Sequence, residues 1–141
     1  MKRTGSAVWN GDLKDGKGTV STESGALKEL HYSFDKRFGD EPGTNPEELI
    51  GAAHAGCFSM ALSKVLADEG MTPEEIATTA EVTLEAVEDG FAITKVHLRT
   101  RARIPGADEA AFRSAAEAAK TGCPVSKLLT AEITLDAGLE H

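Results

Sequence analysis

The longest apolar stretch of the chain includes Leu49, Ile50, Ala52, Ala53, Ala55, Cys57, Phe58, Met60, Ala61, Leu62, Val65 and Leu66, and no formally charged residue interrupts it between Leu49 and Ser63. Ahead of it, Asn45 is a good helix N-cap, Pro46 suits the first helical position, and Glu47 and Glu48 complement the positive end of a helix. Gly70 supplies a stop after Glu69. The pattern predicts one helix of roughly 36 Å at about 1.5 Å per residue. Its middle is apolar on every side, so it must be buried. A chain of 141 residues hardly suffices to wrap such a helix. Gly51, Ala52, Ala55 and Gly56 are small enough for a second helix to approach closely. These features predict a homodimer built around this helix.

Two later stretches have period two instead. Val82, Leu84 and Ala86 alternate with Glu81, Thr83 and Glu85, and Val96, Leu98, Ala102 and Ile104 alternate with Lys95, His97, Arg99, Arg101 and Arg103, which predicts two strands. A two-residue turn at Asp89-Gly90 would set Glu81 against Leu98 and mix the faces. A three-residue turn at Glu88-Asp89-Gly90 sets Val82 against Val96 and Glu81 against His97, keeping the apolar face whole. The basic row then lies opposite glutamates, as on a solvated sheet face.

Short strands are expected at Ala7–Trp9, Gly18–Thr22 and Leu30–Phe34, followed by a loop from Arg37 to Thr44. A helical turn is expected at Thr72–Glu75. Asp108 caps a helix ending near Gly122, Cys123-Pro124 opens a short helical segment through Leu129, and Ala131–Leu135 reads as the last strand. Hairpin spacing rather than regular βαβ spacing points to an α+β fold.

Composition narrows the function. The chain suits a single domain over residues 1–138, and Leu139-Glu140-His141 resembles the stub of an affinity tag. A net charge of −8 and an aromatic content of 5% argue against a nucleic-acid binder. No apolar segment follows Met1-Lys2-Arg3 as in a signal peptide. The uncharged stretch is shorter than the roughly 18–20 residues of a membrane span. A cytoplasmic protein is expected. In that reducing compartment Cys57 and Cys123 should not form a structural staple, and the scattered histidines do not suggest a metal site.

Packing alone accounts for Cys57 in an all-apolar helix. Cys123 stands at a helix N-cap, where unpaired N–H groups and the helix dipole lower a thiol pKa. His54, one turn before Cys57, reads as a buried, hydrogen-bonded core histidine. Spacing alone does not bring the two thiols together.

The segment Gly43–Leu62, with Asn45-Pro46-Glu47-Glu48 and His54-Ala55-Gly56-Cys57-Phe58, resembles the OsmC/Ohr family. So do Gly90–Lys95 and Thr121-Gly122-Cys123-Pro124-Val125-Ser126. The resemblance runs from Gly5 to about Leu135. It implies an intertwined homodimer with long central helices flanked by antiparallel sheets, and a thiol peroxidase that reduces organic hydroperoxides. By position it implies Cys57 as the peroxidatic cysteine, Cys123 as the resolving one, and Arg37 and Glu48 as their assistants. Arg37, in the segment ahead of the long helix, favours the OsmC branch.

Arginine stays protonated and suits the task of stabilising a thiolate, and Glu48 is expected to hold Arg37 in a bidentate pair. Nine residues at about 100° each put Glu48 and Cys57 on opposite sides of one helix. Arg37 and Glu48 of one subunit are therefore expected to serve Cys57 of the other. Leu49, Phe58, Met60 and Leu62 are expected to line an apolar opening. No cofactor or metal is implied, only an external dithiol reductant of the dihydrolipoamide type. The alternatives are a peroxidase preferring hydrogen peroxide, and a non-catalytic dimer that binds small apolar molecules in stress and keeps inert cysteines.

Overall fold

Trp9, Gly18 and Tyr32 form one row across three neighbouring strands: β1 (Gly5–Asn10), β2 (Lys17–Thr22) and β3 (Leu30–Tyr32), joined antiparallel in that order. The two rings close over the glycine with centroids 5.3 Å apart. A Cβ on Gly18 would stand 2.5 Å from Tyr32 Cε1 and 2.6 Å from Trp9 Cε3, so only glycine fits the row. The computed structural model describes all of residues 1–141. It divides into two compact units, Met1–Leu49 and Ile50–His141.

In the first unit the third strand stops at Tyr32, and the expected loop begins as a short helix, α1 (Phe34–Phe38). Ser33 caps it, its Oγ accepting the N–H of Lys36 at 3.2 Å. Phe34 and Phe38 stack one turn apart with centroids at 5.0 Å.

The long helix is α2 (Pro46–Asp68), within a residue of the expected span. Asn45 Oδ1 accepts the N–H of Glu48 at 2.8 Å, satisfying one of the orphan donors of the first turn. At the far end Gly70 takes φ +78°, and Met71 N–H returns to Leu66 O at 2.8 Å while Gly70 N–H returns to Ala67 O at 3.0 Å. That is a Schellman stop, which requires a left-handed residue. Within the Ile50–His141 unit, Gly51, His54, Phe58, Leu62 and Leu66 are buried, whereas Ala52, Ala53, Gly56 and Met60 are exposed. By length and composition α2 is apolar enough to cross a membrane.

No helical turn forms at Thr72–Glu75; the chain enters β4 (Glu75–Val87) directly. β4 pairs antiparallel with β5 (Gly90–Arg103), setting Val82 against Val96 and Glu81 against His97 as expected. The route differs. The turn is the two-residue Glu88-Asp89, with Val87 opposite Gly90, and a bulge that leaves Thr94 unpaired restores the apolar register. Val96, Leu98, Thr100 and Ala102 are fully buried, while Lys95, Arg99 and Arg101 are exposed. The basic row pairs with acids: Arg101 and Arg99 with Asp136, and Arg103 with Glu74 and Glu75.

Asp108 Oδ2 accepts the N–H of Ala111 at 2.9 Å and starts α3 (Glu109–Gly122). Phe112, Ala115, Ala116 and Ala119 of α3 join Phe58, Leu62 and Leu66 of α2 and the buried residues of β5 in the core. After α4 (Pro124–Leu128) comes β6 (Glu132–Glu140). This strand runs parallel to β5, so the second sheet is mixed and not purely antiparallel. A parallel return needs a crossover of a dozen residues or more, and α3 with α4 supplies it. Leu139 and Glu140, read above as part of a tag stub, lie in β6 opposite Ala102 and Arg103. Helices and two sheets together make the chain α+β, as expected.

Candidate functional site

Cys57 lies three turns into α2, and Cys123 lies where α3 ends and α4 begins. The chain folds back so that Cys123 Sγ reaches Cys57 Sγ at 2.8 Å, with both cysteines reduced. Cys123 is fully buried and Cys57 is half-buried.

Cys123 is the N-cap of α4, as its place before Pro124 implies, but its side chain makes no capping hydrogen bond. Instead the backbone N–H of Val125, the first donor after the proline, is directed at Cys57 Sγ. Burial pushes the Cys57 thiol above its ordinary pKa. The adjacent Cys123 sulfur pushes the same way, first through its hydrogen bond with Cys57 and then through charge repulsion. The Val125 N–H works against both by favouring the ionised sulfur.

One turn from the sulfurs, His54 Nε2 and Ser126 Oγ meet at 2.8 Å. His54 is fully buried, as expected for a core histidine, and burial lowers its pKa. Its Nδ1 has no hydrogen-bond partner. A buried N–H without an acceptor costs more than an idle lone pair, which assigns the proton to Nε2 and makes His54 the donor to Ser126.

Arg37 is the penultimate residue of α1. Its guanidinium holds Glu47, not the expected Glu48: Nε to Oε1 is 3.1 Å and Nη2 to Oε1 is 2.8 Å. Glu48 bonds instead to the Nδ2 of Asn45, so the N-cap and the third helical residue clasp each other. The guanidinium also lies over the Phe38 ring, 5.2 Å from its centroid. Beside it is an open apolar cavity of about 250 Å³ lined by Trp9, Leu13, Tyr32, Ser33, Phe34, Arg37 and Phe38. Of the residues expected to line an apolar opening, Phe58 and Leu62 are core residues and Met60 is 77% exposed.

No group of three or more histidine, cysteine or acidic side chains is placed to hold a metal ion. Sequence reasoning missed the Val125 N–H, a backbone donor with no side-chain signature, and the partner of His54. It also missed the Arg37–Glu47 pair, which depends on α1.

Residues 39–137 match the family described as OsmC-like protein. The chain is 57% identical to Peroxiredoxin OsmC of Escherichia coli (strain K12) over 140 residues, covering 99% of this chain and 98% of that protein. Among solved structures, an organic hydroperoxide resistance protein from Elizabethkingia anophelis with crystallant-derived thiocyanate bound is 26% identical, with TM-score 0.72 over 100% of this chain and 98% of that one. An OsmC-like protein from Mycoplasma pneumoniae shares the fold, with TM-score 0.78 and 16% identity over 100% of this chain and 99% of that one.

Proposed function

The chain belongs to the OsmC family, and from that premise we propose that it is a cysteine-based peroxidase that reduces organic hydroperoxides to alcohols. The approach of Cys57 and Cys123 sulfurs to 2.8 Å carries the reading. The names of relatives support it: a peroxiredoxin in one case and an organic hydroperoxide resistance protein in another.

The Cys57 thiolate attacks the outer peroxide oxygen, the O–O bond breaks, and the departing alkoxide takes a proton to become the alcohol. Cys57 is left as sulfenic acid. The Cys123 thiol then attacks the Cys57 sulfur, expelling water and forming the disulfide. The sulfurs need to close only from 2.8 Å to about 2.05 Å. A dithiol, of the dihydrolipoamide type in this reading, reopens the bond by two exchanges and is itself oxidised to a disulfide.

Something cationic must favour the thiolate, since burial opposes it. In this reading Arg37 of a partner subunit does so, with Glu47 orienting its guanidinium and Glu48 fixing the start of α2 through Asn45. The exposed small and apolar residues of α2 support a homodimer, with a second copy covering Ala52, Ala53, Gly56 and Met60.

Whole-protein mass after one equivalent of cumene hydroperoxide tests the reading. The expected product has lost two hydrogens, and Cys57→Ser abolishes that loss. Two unreacted thiols would instead mean an inert binding protein.

A further inference from the structure

His54 and Cys57 are three residues apart on α2, and Cys123 and Ser126 are three apart at the start of α4. His54 pairs with Ser126 at 2.8 Å, and Cys57 pairs with Cys123 at 2.8 Å. As α2 is followed toward its C-terminus, α4 is followed toward its N-terminus. The two segments therefore run antiparallel and are joined by two rungs about one helical turn apart. One rung is redox chemistry in the proposed reading. The other joins a fully buried imidazole to a hydroxyl 8% exposed, and the mechanism above gives it no task.

α4 has only five residues and ends at Leu128. Its hold on α2 at the redox centre is therefore local. A hydrogen bond between buried groups is directional, and leaving its donor or acceptor unpaired is costly. Apolar packing allows sliding, whereas this bond sets one register. With the register go two things placed by the same segment: the Cys123 sulfur and the Val125 N–H.

We propose that His54 and Ser126 are a positioning pair that fixes α4 against α2, so that Cys123 is held within reach of the oxidised Cys57 and disulfide closure outruns escape of the sulfenic acid. The proposal rests on the redox reading of the two cysteines. Neither residue is a catalytic acid or base. A charged imidazole here would bring a second N–H into a site where Nδ1 finds no partner.

The test is single-turnover quench of the full-length protein with one equivalent of cumene hydroperoxide in the presence of dimedone, which traps sulfenic acid. Wild type is expected to pass to the disulfide with little adduct. Ser126→Ala and His54→Leu are expected to close at least about tenfold more slowly, which corresponds to about 1.4 kcal/mol of barrier, and to accumulate the Cys57 adduct. His54→Gln keeps an N–H donor within reach of Ser126 and is expected to close like wild type. A purely structural role would lower the melting temperature and leave the ratio of adduct to disulfide unchanged.

Closure at the wild-type rate in both Ser126→Ala and His54→Leu overturns the proposal, as does equal behaviour of His54→Gln and His54→Leu. If wild type consumes no peroxide, the peroxidase reading fails on its own. The same variants are then compared with diamide, which accepts the two thiol hydrogens and becomes the hydrazine, and slower closure in Ser126→Ala and His54→Leu still upholds the positioning role.

Discussion

Arg37 binds Glu47 through both Nε and Nη2, at 3.1 and 2.8 Å from Oε1. Its neighbour Glu48 is committed to the cap through Asn45. Adjacent residues on a helix point about 100° apart, so only one of the two carboxylates faces α1. The pair is solvated enough to contribute little to folding, on the order of 0–1 kcal/mol. Its value lies in orientation of the guanidinium.

The two glutamates should therefore separate by phenotype. Glu47→Gln is expected to loosen the guanidinium and lower peroxide turnover with little change in melting temperature. Glu48→Ala is expected to lower the melting temperature as well, because the Asn45 cap loses its clasp. Steady-state rates and thermal melts on the two variants decide this.

Service of Cys57 by a partner's Arg37 makes a complementation prediction. Arg37→Ala is expected to slow peroxide consumption while leaving a dimer intact, and Cys57→Ser is expected to be inactive. Mixed dimers of the two carry one complete site if the arginine acts across a two-fold axis. Activity recovered after subunit exchange is the expected outcome, and no recovery assigns Arg37 to its own chain's Cys57 or to neither.

His54 makes the fold sensitive to acid. Its folded pKa lies below the ordinary histidine value of about 6.5 because burial disfavours the charged ring. The unfolded chain therefore binds the proton more readily, and the stability this provides is present above about pH 6.5 and is lost as pH falls through the folded pKa. Melting temperature is expected to drop more steeply below pH 6.5 in wild type than in His54→Gln.

Cys57 acts at the other end of the scale. Its folded pKa is raised above the ordinary thiol value of 9.0, first by burial. The folded thiol holds its proton more tightly, so its contribution to stability is complete below pH 9 and is lost as pH rises through the folded pKa. Denaturant midpoints are expected to fall above pH 9 in wild type and to fall less in Cys57→Ala.

Thr100 is fully buried between Thr78 and the carbonyl of Ala77, with Ser59 continuing the hydroxyl chain across to α2. Thr100→Val keeps the shape and removes the link. The expected cost is about 1–3 kcal/mol, because Thr78 loses a buried partner, and urea denaturation measures it.

What was legible in the sequence is what short-range physics determines. Asn45, Pro46, Glu47 and Glu48 announce the start of α2 because a cap is local, and Gly70 announces its end for the same reason. The pairing of Val82 with Val96 follows from keeping apolar residues on one face. The bulge at Thr94 does not, since two loop geometries reach the same register. The direction of β6 is equally hidden, because an alternating pattern reads alike in both directions. The closeness of the sulfurs needed a tertiary path through α3. The expected partner of Arg37 was off by one position, a difference decided by a five-residue helix that hydrophobic patterning does not reveal.

The parallel return of β6 has a consequence for how the protein is made. Cys123 lies in the crossover that follows β5, 66 residues after Cys57. At about 5–20 residues per second of synthesis, the nascent chain carries Cys57 for roughly 3–13 s before Cys123 exists. On the proposed mechanism, a sulfur oxidised on the ribosome in that interval has no resolving thiol of its own, so the growing polypeptide depends on small-molecule thiols of the cell until Cys123 is added.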